Sequence, residues 1–194
     1  MIIWINGAFG SGKTQTAYEL RRRLRGAYVY DPENAGCFIR DNLPPAVCVD
    51  DFQDYPMWRK FNLDMLRYIA EHYTGDIIVP MTLTNRAYFE EIAGALSREY
   101  DVRHVILCAQ KETILKRLAS RLEGRRSWAA QQMDRCIRAF DGDIPGMKLH
   151  TDGLSIRQTA EEVAALAGVT LTPDNRSGAR RALDRFLTQC GHIR

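Results

Sequence analysis

The chain has 194 residues, of which 45% are hydrophobic and 26% are charged, and its formal net charge is +3. This length predicts one full domain with appendages, and this balance excludes a disordered or fibrous protein. The mild net charge favours phosphate-bearing small molecules as ligands and argues against nucleic acid as a partner. No apolar run approaches the roughly 20 residues that span a bilayer, and no signal-peptide pattern is present, so we expect a cytoplasmic protein.

Short apolar runs, typical of buried strands, alternate along the chain with segments whose apolar residues recur at helical spacing. In chain order we predict a strand at 2–5, helix 13–26, strand 27–30, helices 32–42 and 57–73, strand 77–79, helix 86–99, strand 102–108, helices 111–122 and 128–140, strand 147–151, a helix that begins near Ser155 with a capping box to Gln158, and a tail helix within 173–194. This alternation predicts an α/β fold with a parallel sheet that helices cover on both faces, since parallel strands need crossover connections.

A glycine-rich segment joins the first strand to the first helix. It matches the pattern G-x-x-x-x-G-K-[ST], in which backbone amides and the start of a helix hold phosphates, the lysine reaches the β and γ phosphates, and the hydroxyl binds magnesium. The order strand, loop, helix is the context that this motif requires. The predicted nucleotide-binding residues are Gly7, Ala8, Phe9, Gly10, Ser11, Gly12, Lys13 and Thr14, with Lys13 also catalytic and Thr14 also the metal ligand.

The carboxylates that would complete such a site are less clearly marked. The strand at 77–79 is followed by no acidic residue, whereas residues 46–51 read as four apolar residues followed by two aspartates, an alternative magnesium strand. The cysteines and histidines lack metal-ligand spacing. Asp31, at the carboxyl end of the second strand, is predicted to take a proton from an acceptor hydroxyl. It is equally suited to cap the helix that follows, and the two roles are compatible.

An arginine cluster follows the fourth strand. Arg117 and Arg121 are four residues apart on one predicted helix, and Arg125 lies in the loop that follows. These side chains suit a lid at about residues 121–128 that closes over the phosphates, with Arg117 and Arg121 in catalytic roles; the alternative is a solvated basic helix face. Thr151 and Asp152, after the last strand, are predicted to lie near the base of the nucleotide.

Acids, an amide, aromatic rings and arginines are concentrated between residues 50 and 59. Such a mixture suits a pocket in which rings stack on a substrate while polar groups bind its hydroxyls. The helical spacing of Trp58 and Phe61 is equally consistent with core positions. The predicted substrate-binding residues are Asp51, Gln53, Trp58, Arg59, Thr82 and Arg125.

Longer blocks of the sequence carry a more specific signal. They are residues 1–16, 28–33, 50–53, 55–59, 78–82, 127–130 and 192–194. Together these blocks resemble the tunicamycin-resistance ATP-binding protein family, and the likeness covers nearly the whole chain.

The resemblance implies a P-loop nucleoside triphosphate hydrolase fold, with a five-stranded parallel sheet in the order 2-3-1-4-5 and a kinase-like lid, that binds ATP and magnesium. It implies a nucleoside-like small molecule as acceptor, which the protein either phosphorylates or holds tightly without chemistry. The family's C-terminal amphipathic segment is linked with membranes. Here residues 1–172 would form the kinase-like domain, and residues 174–194 would either contact a membrane peripherally or pack on the domain. A regulatory GTPase is disfavoured because no Asn-Lys-x-Asp segment is present.

Overall fold

The computed structural model describes residues 1–119 and 128–191. In these residues one parallel sheet has the strand order β2-β3-β1-β4-β5, which confirms the predicted α/β fold and strand order. The strands are β1 Ile2–Gly7, β2 Tyr28–Val29, β3 Ile77–Pro80, β4 Val102–Cys108 and β5 Met147–His150. Since all strands run in the same direction, the segments that follow them meet at one edge of the sheet.

Helices connect the strands and cover both faces of the sheet. They are α1 Lys13–Arg23, α2 Glu33–Asp41, α3 Pro56–His72, α4 Arg86–Phe89, α5 Ala95–Glu99, α6 Lys111–Ala119, α7 Trp128–Gln131, α8 Met133–Arg138, α9 Ile156–Ala167 and α10 Gly178–Cys190. A π-helical segment, Glu90–Gly94, separates α4 from α5, and a second one, Ala139–Asp143, follows α8. Within the described residues, helices therefore occur at the predicted positions, and two of the predicted helices contain wider turns; residues 120–122, the end of one predicted helix, lie outside them.

Two apolar clusters hold the layers together. On one face of the sheet, Trp4 of β1 packs with Trp58 and Leu66 of α3. On the other face, Ile3 of β1 packs in a cluster that includes Leu20 of α1. Every residue of β1 is buried, as expected for a central strand covered on both faces.

The C-terminal helix α10 lies against α1 through its polar side. Arg176, just before α10, pairs with Glu19 of α1 and with Asp184 of α10, the latter at 2.9 Å. Arg22 of α1 donates to the Thr188 hydroxyl at 2.7 Å. Charged groups buried at such a contact need partners, so this ion-pair network orients α10 with its polar side inward.

The apolar side of α10 faces outward. Leu183, Phe186 and Leu187 are 47%, 63% and 56% exposed. The tail therefore packs on the domain, which was one of the two expected arrangements, but it does so without burying its apolar face. In the described residues no helix is both long and apolar enough to cross a membrane.

The strand considered as an alternative after Pro45 is not formed. Residues 45–47 form a single turn of 3-10 helix, and the apolar residues that follow are exposed as far as Asp50. Pro44 and Pro45 favour this turn, because the fixed φ of proline suits the start of a helix, and the Val47 and Cys48 amides donate back to the Pro44 and Pro45 carbonyls. The alternative magnesium strand at residues 46–51 was therefore wrong.

Candidate nucleotide and acceptor site

The glycine-rich loop turns from β1 into α1 through three glycines with positive φ. Gly7, Gly10 and Gly12 have φ values of 145°, 83° and 103°, a region that other residues rarely adopt. The Lys13 amine bends back over the loop and donates to the Ala8 carbonyl at 3.1 Å. The loop thus encloses a backbone cradle at the start of a helix, which fits the phosphates of a nucleotide.

Two side chains outside the motif hold this loop to the neighbouring strand. Asn6 is fully buried; its carboxamide accepts from the amides of Gly7 and Leu83 and donates to the Leu83 carbonyl at 3.1 Å. The Thr82 hydroxyl donates to the Gly7 carbonyl at 2.9 Å. Thr82, predicted to bind substrate, is therefore engaged in fixing the loop. Asn6 was missed, although a lone asparagine at the end of an apolar strand was a readable signal.

Arg117 of α6 connects the loop to the end of β5. Its guanidinium donates to the Ser11 carbonyl at 3.0 Å, to the Thr151 hydroxyl at 3.1 Å and to the Thr151 carbonyl at 2.8 Å. Asp152, next in the chain, accepts from the Gln110 amide at the start of α6. A hydrogen bond from the Thr113 side chain lowers the pKa of Asp152 below its ordinary value, and the hydrogen bond from the Gln110 amide lowers it further. The structure thus brings Arg117, Thr151 and Asp152 together beside the loop, while their predicted roles in nucleotide binding stay predictions.

Asp31 follows β2 at the same edge of the sheet and is buried. Its carboxylate accepts from the Glu33 amide at 3.0 Å, so the capping contact that we considered is present. The residues on either side of it are fastened to α3. The Tyr30 hydroxyl donates to Asn62 at 2.7 Å, and the Trp58 indole donates to the Pro32 carbonyl at 3.0 Å. Trp58 is fully buried, and its hydrogen bond to Pro32 supports the turn that contains Asp31.

Asp51 and Gln53 lie in a short 3-10 turn and are buried. Asp51 accepts from the Gln53 amide at 3.1 Å, and its other oxygen accepts from Arg135 of α8 at 3.0 Å. Arg135 was not predicted as a site residue, and its position depends on a long-range contact that the sequence does not display. This ion pair joins the predicted acceptor segment to the helix that follows the predicted lid.

Arg59 extends from α3 to the same segment. It donates to the Gln53 carbonyl at 2.6 Å, pairs with Glu91, and lies 4.0 Å over the Tyr88 ring. Phe61, on the same helix, is 48% exposed, so the core interpretation holds for Trp58 and not for Phe61. Arg59 therefore braces the acceptor segment against α4 and its neighbours.

Helices α7 and α8 lie over the glycine-rich loop. The Trp128 ring meets the Phe9 ring edge to face, with centroids 5.0 Å apart. Burial raises the pKa of the Cys136 thiol on α8, and the Lys13 charge acts in the opposite direction. Arg121 and Arg125, with most of the predicted lid, lie outside the described residues. No group of three or more acidic, cysteine or histidine side chains that could hold a metal occurs in residues 1–119 and 128–191.

The parallel sheet and the phosphate-binding loop together define a P-loop nucleotide-binding protein with a kinase-like fold. A family model described as "AAA domain" matches residues 2–142, so the chain belongs to that family. Within it, the chain belongs with the tunicamycin resistance proteins. The solved tunicamycin resistance protein of Deinococcus radiodurans is 36% identical, with a TM-score of 0.76 over 89% of this chain and 98% of that one.

More distant solved structures share the fold. A sugar kinase from Janibacter sp. HTCC2649 has a TM-score of 0.63 at 18% identity, over 87% of this chain and 95% of its own. The shikimate kinase of Bacteroides thetaiotaomicron has a TM-score of 0.60 at 16% identity, over 87% of this chain and 99% of its own. A curated nucleotide-binding protein of Burkholderia pseudomallei strain 668 is 29% identical over 121 residues. That match covers 61% of this chain, which spans about a third (32%) of the curated relative's length.

Proposed function

We propose that this chain is an ATP-dependent phosphotransferase that acts on a hydroxyl group of a nucleoside-type small molecule related to tunicamycin, and so confers resistance. The observation that carries the proposal is the buried Asp31 carboxylate, which lies at the same sheet edge as the glycine-rich loop. A nucleotide site beside a held carboxylate is the arrangement that hydroxyl phosphorylation needs. Membership of the tunicamycin resistance family supports this choice of acceptor.

The loop amides and Lys13 would bind the phosphates of ATP, and the Thr14 hydroxyl at the start of α1 would hold Mg²⁺. The bound metal neutralises negative charge on the phosphates. Asp31 would accept the proton of the acceptor hydroxyl as its oxygen forms a bond to the γ-phosphorus. The bond from that phosphorus to the β-phosphate oxygen breaks, so ADP leaves and the acceptor becomes a phosphate ester. Arg117 would stabilise the charge that develops during transfer.

Asp51, Gln53, Arg59 and Arg135 would form the acceptor side. Asp51 and Gln53 are buried polar groups next to the helices α7 and α8. Arg135 holds Asp51 in position, and Arg59 holds Gln53. Such held groups orient a hydroxylated ring at low entropic cost. Trp58 and Thr82 would act through the turns that they support.

The test is incubation of purified protein with γ-labelled ATP, Mg²⁺ and tunicamycin, followed by detection of a labelled drug. Asp31→Asn should reduce the transfer rate by about 10²- to 10⁴-fold, the range expected for loss of a general base, while ATP affinity stays the same. Asp41→Asn, an exposed aspartate at the end of α2, is the matched control and should transfer at the normal rate. A labelled product of equal yield from Asp31→Asn would refute the assigned role.

A second candidate is an ATP-dependent protein that sequesters the drug at a membrane without chemistry. The outward apolar face of α10 favours it. Under this alternative, tunicamycin binds stoichiometrically in the presence of ATP and no phosphorylated drug appears. The division into a kinase-like domain at 1–172, with a lid at about 121–128, and a separate helix at 173–194 belongs to both proposals.

A further inference from the structure

A cleft of about 440 Å³ lies between α1, the start of α2 and the C-terminal helix α10. Its walls include Tyr18, Arg21 and Arg22 from α1, Asn34 from α2, and Leu187 from α10. Its volume lies within the range of small-molecule sites, and it combines an aromatic ring, two guanidinium groups and an amide. None of these residues was among the predicted site residues.

The cleft is close in the chain to two residues of the proposed phosphotransfer site. Tyr18 lies one helical turn beyond Thr14 on α1, since residues four apart share a helix face. On the other wall, the Asn34 amide donates to the Asp31 carbonyl at 3.2 Å. The cleft therefore begins about one turn from each of the two residues assigned to metal and base. A molecule whose hydroxyl met Asp31 would have the remainder of its structure near this opening.

The charge of the surrounding groups favours an anion. Arg22, which lines the cleft, belongs to the ion-pair network between α1 and α10. In that network guanidinium groups outnumber carboxylates, with Arg22, Arg176, Arg180 and Arg181 against Glu19, Asp174 and Asp184. Arg21 adds a further cation. Its described contact is with the Tyr18 ring, 6.0 Å from the centroid, and within the part of the chain that the structure describes no carboxylate pairs with it.

We propose that this cleft is a binding subsite for an anionic group, a phosphate or a carboxylate, attached to a ring. Arg21 pairs with the anion, Tyr18 and Leu187 contact the ring, and Asn34 binds a polar substituent near Asp31. Guanidinium groups suit both kinds of anion because they present several donors in a fixed plane. The subsite rests on the proposed function in one respect: the group that it binds is taken to be part of the acceptor.

Binding of small probes tests the subsite without any turnover. The glycine-rich loop is first saturated with Mg²⁺ and a non-hydrolysable ATP analogue, so that phosphates cannot bind there. Phenyl phosphate, benzoate and phenol are then titrated at millimolar concentrations and followed by NMR shifts of the backbone amides. We expect phenyl phosphate or benzoate to bind more tightly than phenol, with shifts at Tyr18 and Asn34; the stronger of the two identifies the anion.

Arg21→Ala should weaken anion binding about tenfold, equivalent to about 1.4 kcal/mol, and leave phenol unaffected. Arg25→Ala, another exposed arginine just beyond the same helix, is the matched control and should bind as the unmodified chain does. Absence of anion binding, equal binding by Arg21→Ala, or shifts confined to other surfaces would overturn the subsite. These outcomes are independent of phosphoryl transfer, since a chain without transferase activity that binds phenyl phosphate here retains the subsite and loses only the proposed function.

Discussion

Arg117 shows how one side chain can organise a site before any ligand arrives. Three of its hydrogen bonds connect the Ser11 carbonyl of the glycine-rich loop to Thr151 at the end of β5. A charged donor makes stronger hydrogen bonds than a neutral one, so this link restrains both segments. The sequence predicted Arg117 as a phosphate-contacting residue, and the structure adds a positioning role to that prediction.

His104 on β4 should make stability depend on pH. Burial lowers the pKa of His104 to about 4, below its ordinary value of 6.5, and its ring contacts the Pro145 carbonyl at 2.6 Å. The folded chain therefore binds a proton at His104 less readily than the unfolded chain does. The resulting stability is fully present above pH 6.5 and is lost as the pH falls from there to about 4. Over this pH range the free energy of unfolding should fall by about 3 kcal/mol.

Urea unfolding at pH 7.5, 5.5 and 4.5 measures this effect. In His104→Asn, whose amide nitrogen can also donate to the Pro145 carbonyl, the free energy of unfolding should fall less steeply over the same range. His72→Asn, which removes an exposed histidine of α3, is the control and should keep the original slope. Parallel pH profiles for the His104 variant and the unmodified chain would contradict the prediction.

At the scale of elements, the glycine-rich loop packs closely against α6. A Cβ atom added at Gly10 would lie 2.9 Å from Cγ of Leu118, and Gly10 has a φ of 83°. Gly10→Ala would therefore incur both a steric clash and backbone strain, the latter about 1 to 2 kcal/mol. We expect a lower melting temperature and weaker ATP binding, because the loop must shift to relieve the clash.

Gly142→Ala is the control for this substitution. The added Cβ meets nothing within 4 Å, and Gly142 is not among the glycines with positive φ. Its melting temperature and ATP affinity should match those of the unmodified chain. Calorimetry with and without ATP gives both quantities, and a Gly10 variant that equals the control would show that the loop accommodates the extra carbon freely.

Elements specified by local interactions were predictable from the sequence. The capping box of Ser155 and Gln158 is an example, because both of its hydrogen bonds join residues three apart, and the helix begins where expected. The π segment at Glu90–Gly94 was not predicted, since its extra residue fits the same apolar periodicity over so short a length. The Asp51 to Arg135 pair was missed because it joins residues far apart in the chain, and only the fold brings them together.

At the scale of the whole molecule, α10 joins the end of the chain to the helix that begins at the phosphate site. Besides the ion-pair network, Gln15, next to Thr14, donates to the Arg185 carbonyl at 3.0 Å. The amphipathic pattern of α10 was readable from the sequence, but its orientation was not. Apolar burial alone would turn the apolar side of α10 toward the domain. The structure instead pairs Arg176 with Glu19 of α1 and Asp184 of α10, whereas Arg180 and Arg185 are exposed.

Peripheral membrane contact remains a prediction, and the exposed face of α10 makes it specific. The chain should sediment with vesicles of anionic lipid, because the apolar residues insert while nearby arginines meet the headgroups. Replacing both Leu183 and Phe186 with serine should abolish sedimentation, because it removes apolar side chains that would insert. The substitutions leave the ion-pair network that holds α10 unchanged, so the helix should keep its position. Phe38→Ser, which removes an aromatic ring 69% exposed on α2, is the control. Continued sedimentation of the serine variant would place any contact elsewhere.

The outward apolar face of α10 also has a consequence for how the protein behaves in concentrated solution. Sulfate and similar salts strengthen contacts between apolar surfaces, whereas ion pairs that are largely buried are screened little. The chain should therefore precipitate from ammonium sulfate by adhesion of one copy to another through α10, with the sheet and the nucleotide cradle still folded. A protein recovered from the precipitate would then retain its nucleotide affinity.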